Sequence, residues 1–203
     1  MRLDDLHHAV SAHAGEFTCE RIGRERTTRV VLFAHAVTPP SGTGGVPDVG
    51  RLRDVYDTFG EVVFYLEPDS GDAARRLAPP SEWPVLRAAF EEWLDMLDEE
   101  EADGLGWLDD AVVIGETPQS GNYVLLATTG DAAGHVVEFD HDGFEFRDCA
   151  PDAVTYVEAM LRPDDARLTD FASHMRFTAG YGLVQWWIRE MRDNRGHVAR
   201  TRA

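Results

Sequence analysis

Between Ala111 and Asp148 four short apolar runs follow one another: "AVVIGE", "NYVLLAT", "HVVEFD" and "FEFRD". The links between them are short and contain Gly, Asn or Asp. Runs of this length, rich in Val, Ile, Tyr and Phe, read as strands. Links this short can reverse the chain, whereas a parallel crossover needs a dozen residues or more. The stretch therefore predicts an antiparallel meander with tight connections. The rest of the domain must cover its apolar faces.

The covering elements are also legible. From Ser81 the residues Trp83, Leu86, Phe90, Trp93, Leu94 and Leu97 recur at steps of three and four, the period of a helix. Pro84 falls in the first turn, where its missing N–H costs little. The opposite side of this helix carries Glu91, Glu92, Asp95, Asp98 and Glu99, and "DGLGW" stops it. Pro151 opens a second helix through Leu161, with Val154, Val157 and Leu161 inward. Asp48 is placed to cap a helix running to about Thr58, with Leu52, Val55, Tyr56 and Phe59 at helical spacing and Gly60 ending it. "EVVFYLE" and Thr27 to Val37 read as strands, and residues 3–14 as a short amphipathic helix. Between them "TPPSGTGGVPDVG" is a loop. Near the C-terminus, Leu183, Val184, Trp187, Ile188 and Met191 fit one helical face, although "HMRFTAGYGLVQWW" also reads as strand, turn and strand. The periodicity favours helix, and "RDNRGHVARTRA" reads as a solvated basic tail. The pattern predicts an α+β fold, an antiparallel β-sheet flanked by helices.

Charge narrows the function classes. All 19 basic residues are Arg. Without lysine there is no Walker A phosphate loop, no Schiff base and no Ser-Lys dyad. Residues 61–165 hold 26 acidic residues against 5 Arg, and residues 166–203 hold 3 against 7. The middle segment would repel a phosphate backbone, so nucleic acid is not an expected partner. It is either a well-solvated surface or a docking face for a basic protein. No apolar run approaches the roughly 18 residues of a membrane span. The N-terminus lacks the apolar stretch of an export signal, so a cytoplasmic protein with Cys19 and Cys149 reduced is expected.

Two stretches imitate chemistry. "EFDHDG" places Glu138, Asp140, Asp142 and Gly143 like the first positions of an EF-hand calcium loop. The twelfth position, which should be Glu, is Cys149, and both flanks alternate as strands. Asp142-Gly143 is better read as a tight turn. The alternative is a metal-dependent hydrolase that uses Asp140, His141 and Asp142 to hold a divalent ion. "SGTGGVP" has the strand–loop–helix setting of a nucleotide site, but Pro47 stands where the dinucleotide fingerprint needs Gly. His8 and His13 are five apart, not the four of a zinc helix, and His35 in an apolar strand reads as a hydrogen-bonded core histidine. No serine has a nucleophile-elbow setting. No catalytic residue and no cofactor is expected.

The order of these features resembles the SUKH superfamily from about Val49 to Leu161. The helix and strand of "LRDVYDTFGEVVFYLEP" resemble the family's opening, and "SEWPVLRAAFEEWLDML" its Trp-bearing acidic helix. "VVIGETPQSGNYVLLATTGDAAGHVVEFDHD" resembles its strand pair and the strand ending in an acidic-His turn, and "APDAVTYVEAML" its closing helix. The resemblance implies a SUKH-like α+β binding scaffold without catalytic residues. Many such proteins are bacterial immunity proteins that neutralise a toxin, often a nuclease; others regulate cell-wall synthesis and signalling. The expected organisation is an N-terminal appendage over 1–48, a SUKH-like domain over 49–162 and a C-terminal extension over 163–203. Contacts with a basic protein partner, a nuclease-type toxin above all, are expected from Glu91, Asp95, Asp98 and Glu99 on the acidic helix and from Asp140 and Asp142 on the turn.

Overall fold

A computed structural model describes residues 3–23, 27–96, 104–177 and 184–202. Among them are five α-helices and ten strands, an α+β fold with antiparallel sheet, as expected. None of these helices is long and apolar enough to cross a membrane. The chain forms two compact units. The first combines residues 1–37, 63–75 and 159–203, and the second 38–62 and 76–158.

In the first unit the strand order is β10-β9-β1-β2-β3. Here β1 is Ala14–Arg21, β2 Thr28–Thr38, β3 Glu61–Leu66, β9 Trp186–Asp193 and β10 Val198–Arg200. The β1–β2, β1–β9 and β9–β10 ladders are antiparallel. Alternate residues Phe17, Cys19, Val31, Phe33 and Met191 are buried on one face. Aromatic rings continue that core: Phe17 lies 4.7 Å from Phe33, Phe33 4.8 Å from Tyr65, and Tyr65 5.1 Å from Phe171. Phe171 belongs to α5 (Asp165–His174), whose N-cap Asp164 accepts the Arg167 N–H. Helix α1 (Leu3–Ser11) buries Leu6 and Val10.

Two expectations fail in this unit. The segment read as a helix from Leu183 to Met191 is strand β9; Leu183 itself lies outside the described residues. Cys19 is opposite Ile188 while the adjacent Thr18 is opposite Glu190, so Arg189 is an extra residue, a β-bulge. The bulge puts the buried positions at Ile188 and Met191, three apart, and so copies a helical step. The "solvated basic tail" is the other half of a hairpin. Asp193 N–H donates to the His197 carbonyl at 3.0 Å, Gly196 turns the chain at φ 81, and Ala199 on β10 is buried.

A buried hydrogen-bonded chain ties these strands together. Tyr65, at φ 57, donates its backbone N–H to His35 Nδ1 at 2.9 Å. A neutral His35 must then carry its proton on Nε2, which faces His13 Nδ1 at 2.5 Å. That leaves the His13 proton on Nε2, donating to Asp193 Oδ2 at 2.9 Å. Asp193 Oδ1 accepts the N–H groups of Arg195 and His197. Burial pushes both imidazoles down, His35 to about 3, and for His13 it outweighs the pull of Asp193. Burial works against ionised Asp193, but hydrogen bonds from His13, His197 and Arg195 hold its carboxyl below the usual range. His35 is thus the core histidine the sequence suggested.

In the second unit the order is β4-β5-β6-β7-β8. The strands are β4 (Arg75–Leu77), β5 (Val112–Thr117), β6 (Asn122–Leu126), β7 (Val136–Asp140) and β8 (Glu145–Ala150). Their ladders are all antiparallel, so the expected meander is present. Helix α3 (Trp83–Leu94) packs Phe90 edge-on against Tyr123 and Phe139. Helix α4 (Ala153–Met160) meets the alternate residues: Tyr156 OH donates to Glu138 Oε1 at 2.7 Å. With both faces covered, every residue of β6 is buried, and the alternation of a half-exposed strand is lost. On α3, Trp83, Leu86 and Phe90 are buried as expected; Leu94 is only half-buried, and Leu97 lies outside the described residues. Helix α2 (Leu52–Thr58) begins later than its reading, after Arg51 at φ 55, and Asp48 does not cap it but lies 3.7 Å from Arg53. Arg76 is the electrostatic centre of the unit, reaching Glu61, Glu82 and Glu116 at 2.6, 2.6 and 3.1 Å.

Candidate partner interface

The β7–β8 connection is the four-residue turn His141–Phe144, closed by the pair Asp140 and Glu145. Its left-handed position is Phe144, at φ 50, rather than Gly143 where the sequence suggested it. Asp140 Oδ1 accepts the Asp142 N–H at 3.1 Å, which shapes the turn. His141 donates both its backbone N–H and its Nδ1–H to Asn122 Oδ1, at 3.0 and 2.6 Å. That fixes the ring 4.8 Å from the ring of Trp93 on α3. Phe144 closes on the same indole at 6.3 Å. Gly121, at φ 85, makes room for it: a Cβ there would stand 2.8 Å from Trp93 Cζ2.

The Trp93–His141 contact joins the last turn of α3 to the β7–β8 turn, the two places the sequence singled out separately. On α3, Glu91 is exposed and pairs with Arg87 at 2.7 Å, and Asp95 is exposed at the C-cap. On the turn, the Asp142 side chain is 79% exposed and Asp140 is half-buried. Asp98 and Glu99 lie outside the described residues. A helix C-terminus carries the negative end of the backbone dipole, so Asp95 adds to that field instead of cancelling it. Trp93, His141 and Phe144 are half-buried, and Met96, three residues along the helix from Trp93, is 65% exposed. Aromatic residues with a charged rim are the composition of protein docking sites.

Sequence reasoning missed the residues that assemble the patch. By spacing Trp93 is one more apolar recurrence of the helix, and Asn122 is the first residue of the run "NYVLLAT". The one available signal was the Gly-Asn dipeptide at 121–122, whose small residue marks a close approach. His141 Nδ1 is committed to Asn122, and among the described residues no group of three His, Cys, Asp or Glu could hold an ion.

The charge divides by unit. The second unit holds 24 acidic residues and 5 arginines, net −19; the first holds 13 and 14, net +1. Four of the second unit's arginines, Arg51, Arg53, Arg76 and Arg87, already lie in ion pairs with its own carboxylates. Compared with protein-family models, with curated proteins and with solved structures, the chain shows no match.

Proposed function

We propose that the chain is a non-catalytic, SUKH-like binding module whose second unit docks a basic protein, in the manner of an immunity protein neutralising a nuclease-type toxin. The observation that carries this reading is the confinement of the net negative charge to one unit, −19 against +1. A merely solubilising charge has no reason to be segregated, whereas a docking field gains from it. Within that unit Trp93, His141 and Phe144 supply the apolar contact, and Glu91 and Asp95 on α3 with Asp140 and Asp142 on the β7–β8 turn supply the charge. A nuclease presents a basic cleft to its substrate, and an acidic surface can occupy that cleft.

The test is affinity capture from the protein's own host at low salt, with the double variant Asp95→Arg/Asp142→Arg run beside the unaltered chain. The reading requires a basic protein retained by the unaltered chain, released by salt and lost in the variant. If that protein cleaves nucleic acid, the cleavage must stop on adding the unaltered chain. Equal retention by both chains would place docking elsewhere.

A further inference from the structure

The outer face of the first unit's sheet carries apolar residues in the open. Val30 and Leu32 on β2 are 57% and 66% exposed, although β2 lies between β1 and β3. The ladder registers fix their neighbours. Val30 is opposite Thr18, Thr18 opposite Glu190, and Glu190 opposite Arg200. In the next row Leu32 is opposite Glu16, Glu16 opposite Arg192, and Arg192 opposite Val198. Side chains directly opposite share a face. The alternate residues Phe17, Val31 and Met191 are buried, so both rows face outward. A solvated antiparallel face normally presents polar residues. Adjacent aliphatics at its centre mark an interaction surface.

We infer that two copies of the chain meet on this face, about a two-fold axis that crosses the strands midway between the two rows. Such an axis lays each row on the other row of the second copy. Val30 then meets Leu32, and Glu190 meets Arg192, each contact made twice, as an isologous interface requires. The face is already close to neutral before it is covered: Glu190 pairs with Arg200 at 2.8 Å and Arg192 at 3.4 Å, and Glu20 with Arg189 at 2.8 Å. Charge permits a second copy here: the second unit, at −19, repels its own kind, whereas the first, at +1, does not. Four strands about 4.8 Å apart make a face roughly 19 Å wide. With the two rows only about 7 Å apart, the contact is smaller than the roughly 800 Å² per partner of a standard interface, so the dimer is weak, reversible and dependent on concentration.

Sedimentation velocity from low micromolar to roughly 0.5 mM protein tests this. The unaltered chain dimerises. Glu190→Arg and Arg192→Glu each weaken association at least about tenfold, and an equimolar mixture of the two recovers it, because each supplies the charge the other lacks. Leu32→Asp gives a monomer with an unchanged circular dichroism spectrum. A chain that stays monomeric at the highest concentration overturns the inference. So does a dimer that survives Leu32→Asp, or a mixture that fails to reassociate. All three substitutions lie in the first unit, so they leave the Trp93–His141 patch intact and separate this inference from the proposed function.

Discussion

His35 takes the backbone N–H of Tyr65 on its Nδ1, 2.9 Å away, and this contact sets the proton on every ring nitrogen of the His35–His13–Asp193 chain. A second proton on either ring would face a nitrogen–hydrogen donor instead of an acceptor. In the unfolded chain both imidazoles protonate near pH 6.5. In the folded chain burial holds both lower, His35 at about 3. Below about pH 6.5 the unfolded state therefore binds more protons, and stability falls with pH. It is complete above that value and is lost progressively toward the folded values. Depressed Asp193 acts in the same sense at lower pH. Urea midpoints should be level from neutral pH upward and fall steadily on acidification. His35→Leu should make that fall shallower, and at neutral pH should cost about 1–3 kcal/mol by orphaning the Tyr65 N–H. A midpoint unchanged between neutral pH and pH about 5 would contradict two neutral rings.

Phe90 and Leu94 share a helical stripe, but only Phe90 is fully buried. Phe90→Ala should cost about 3–5 kcal/mol, because it removes a ring packed against Tyr123 and Phe139. Leu94→Ala should cost less than about 2 kcal/mol, since its site can fill with solvent. Chemical denaturation of the two variants checks the order.

Gly121→Ala should move the indole. The new Cβ would stand 2.8 Å from Trp93 Cζ2 and sit at φ 85, a backbone conformation that suits glycine. Stability should fall by about 1–3 kcal/mol. The His141 ring resonances should shift, because His141 lies 4.8 Å from that indole. An unshifted His141 would mean that Trp93 does not seat the turn.

The meander, α3 and α4 were legible because the strands are short β-branched and aromatic runs joined by links that carry turn residues, and the helices keep apolar steps of three and four. Strand β9 was not, because the extra residue Arg189 breaks the alternation that identifies a strand. The acidic residues of the patch were legible as charge. Their assembly was not: it depends on Gly121, Asn122 and His141 seating Trp93, contacts that no local spacing encodes. The chain of His13, His35 and Asp193 was equally hidden. Its members are 22 and 158 positions apart in sequence, and only the pairing of β1 with β2 and β9 brings them together.

The central claim is that the Trp93–His141 patch, and not the acidity of the unit as a whole, receives a basic partner. A fluorescent arginine decapeptide is a direct probe, read by anisotropy at low and moderate salt. The control is Asp109→Arg/Asp131→Arg, an equal change of charge at exposed residues of the same unit. The account predicts that Asp95→Arg/Asp142→Arg weakens the peptide at least about tenfold and flattens the salt dependence, while the control weakens it less than about threefold. Equal losses in the two variants would contradict it, and would leave the charge of the second unit as a diffuse field without a site.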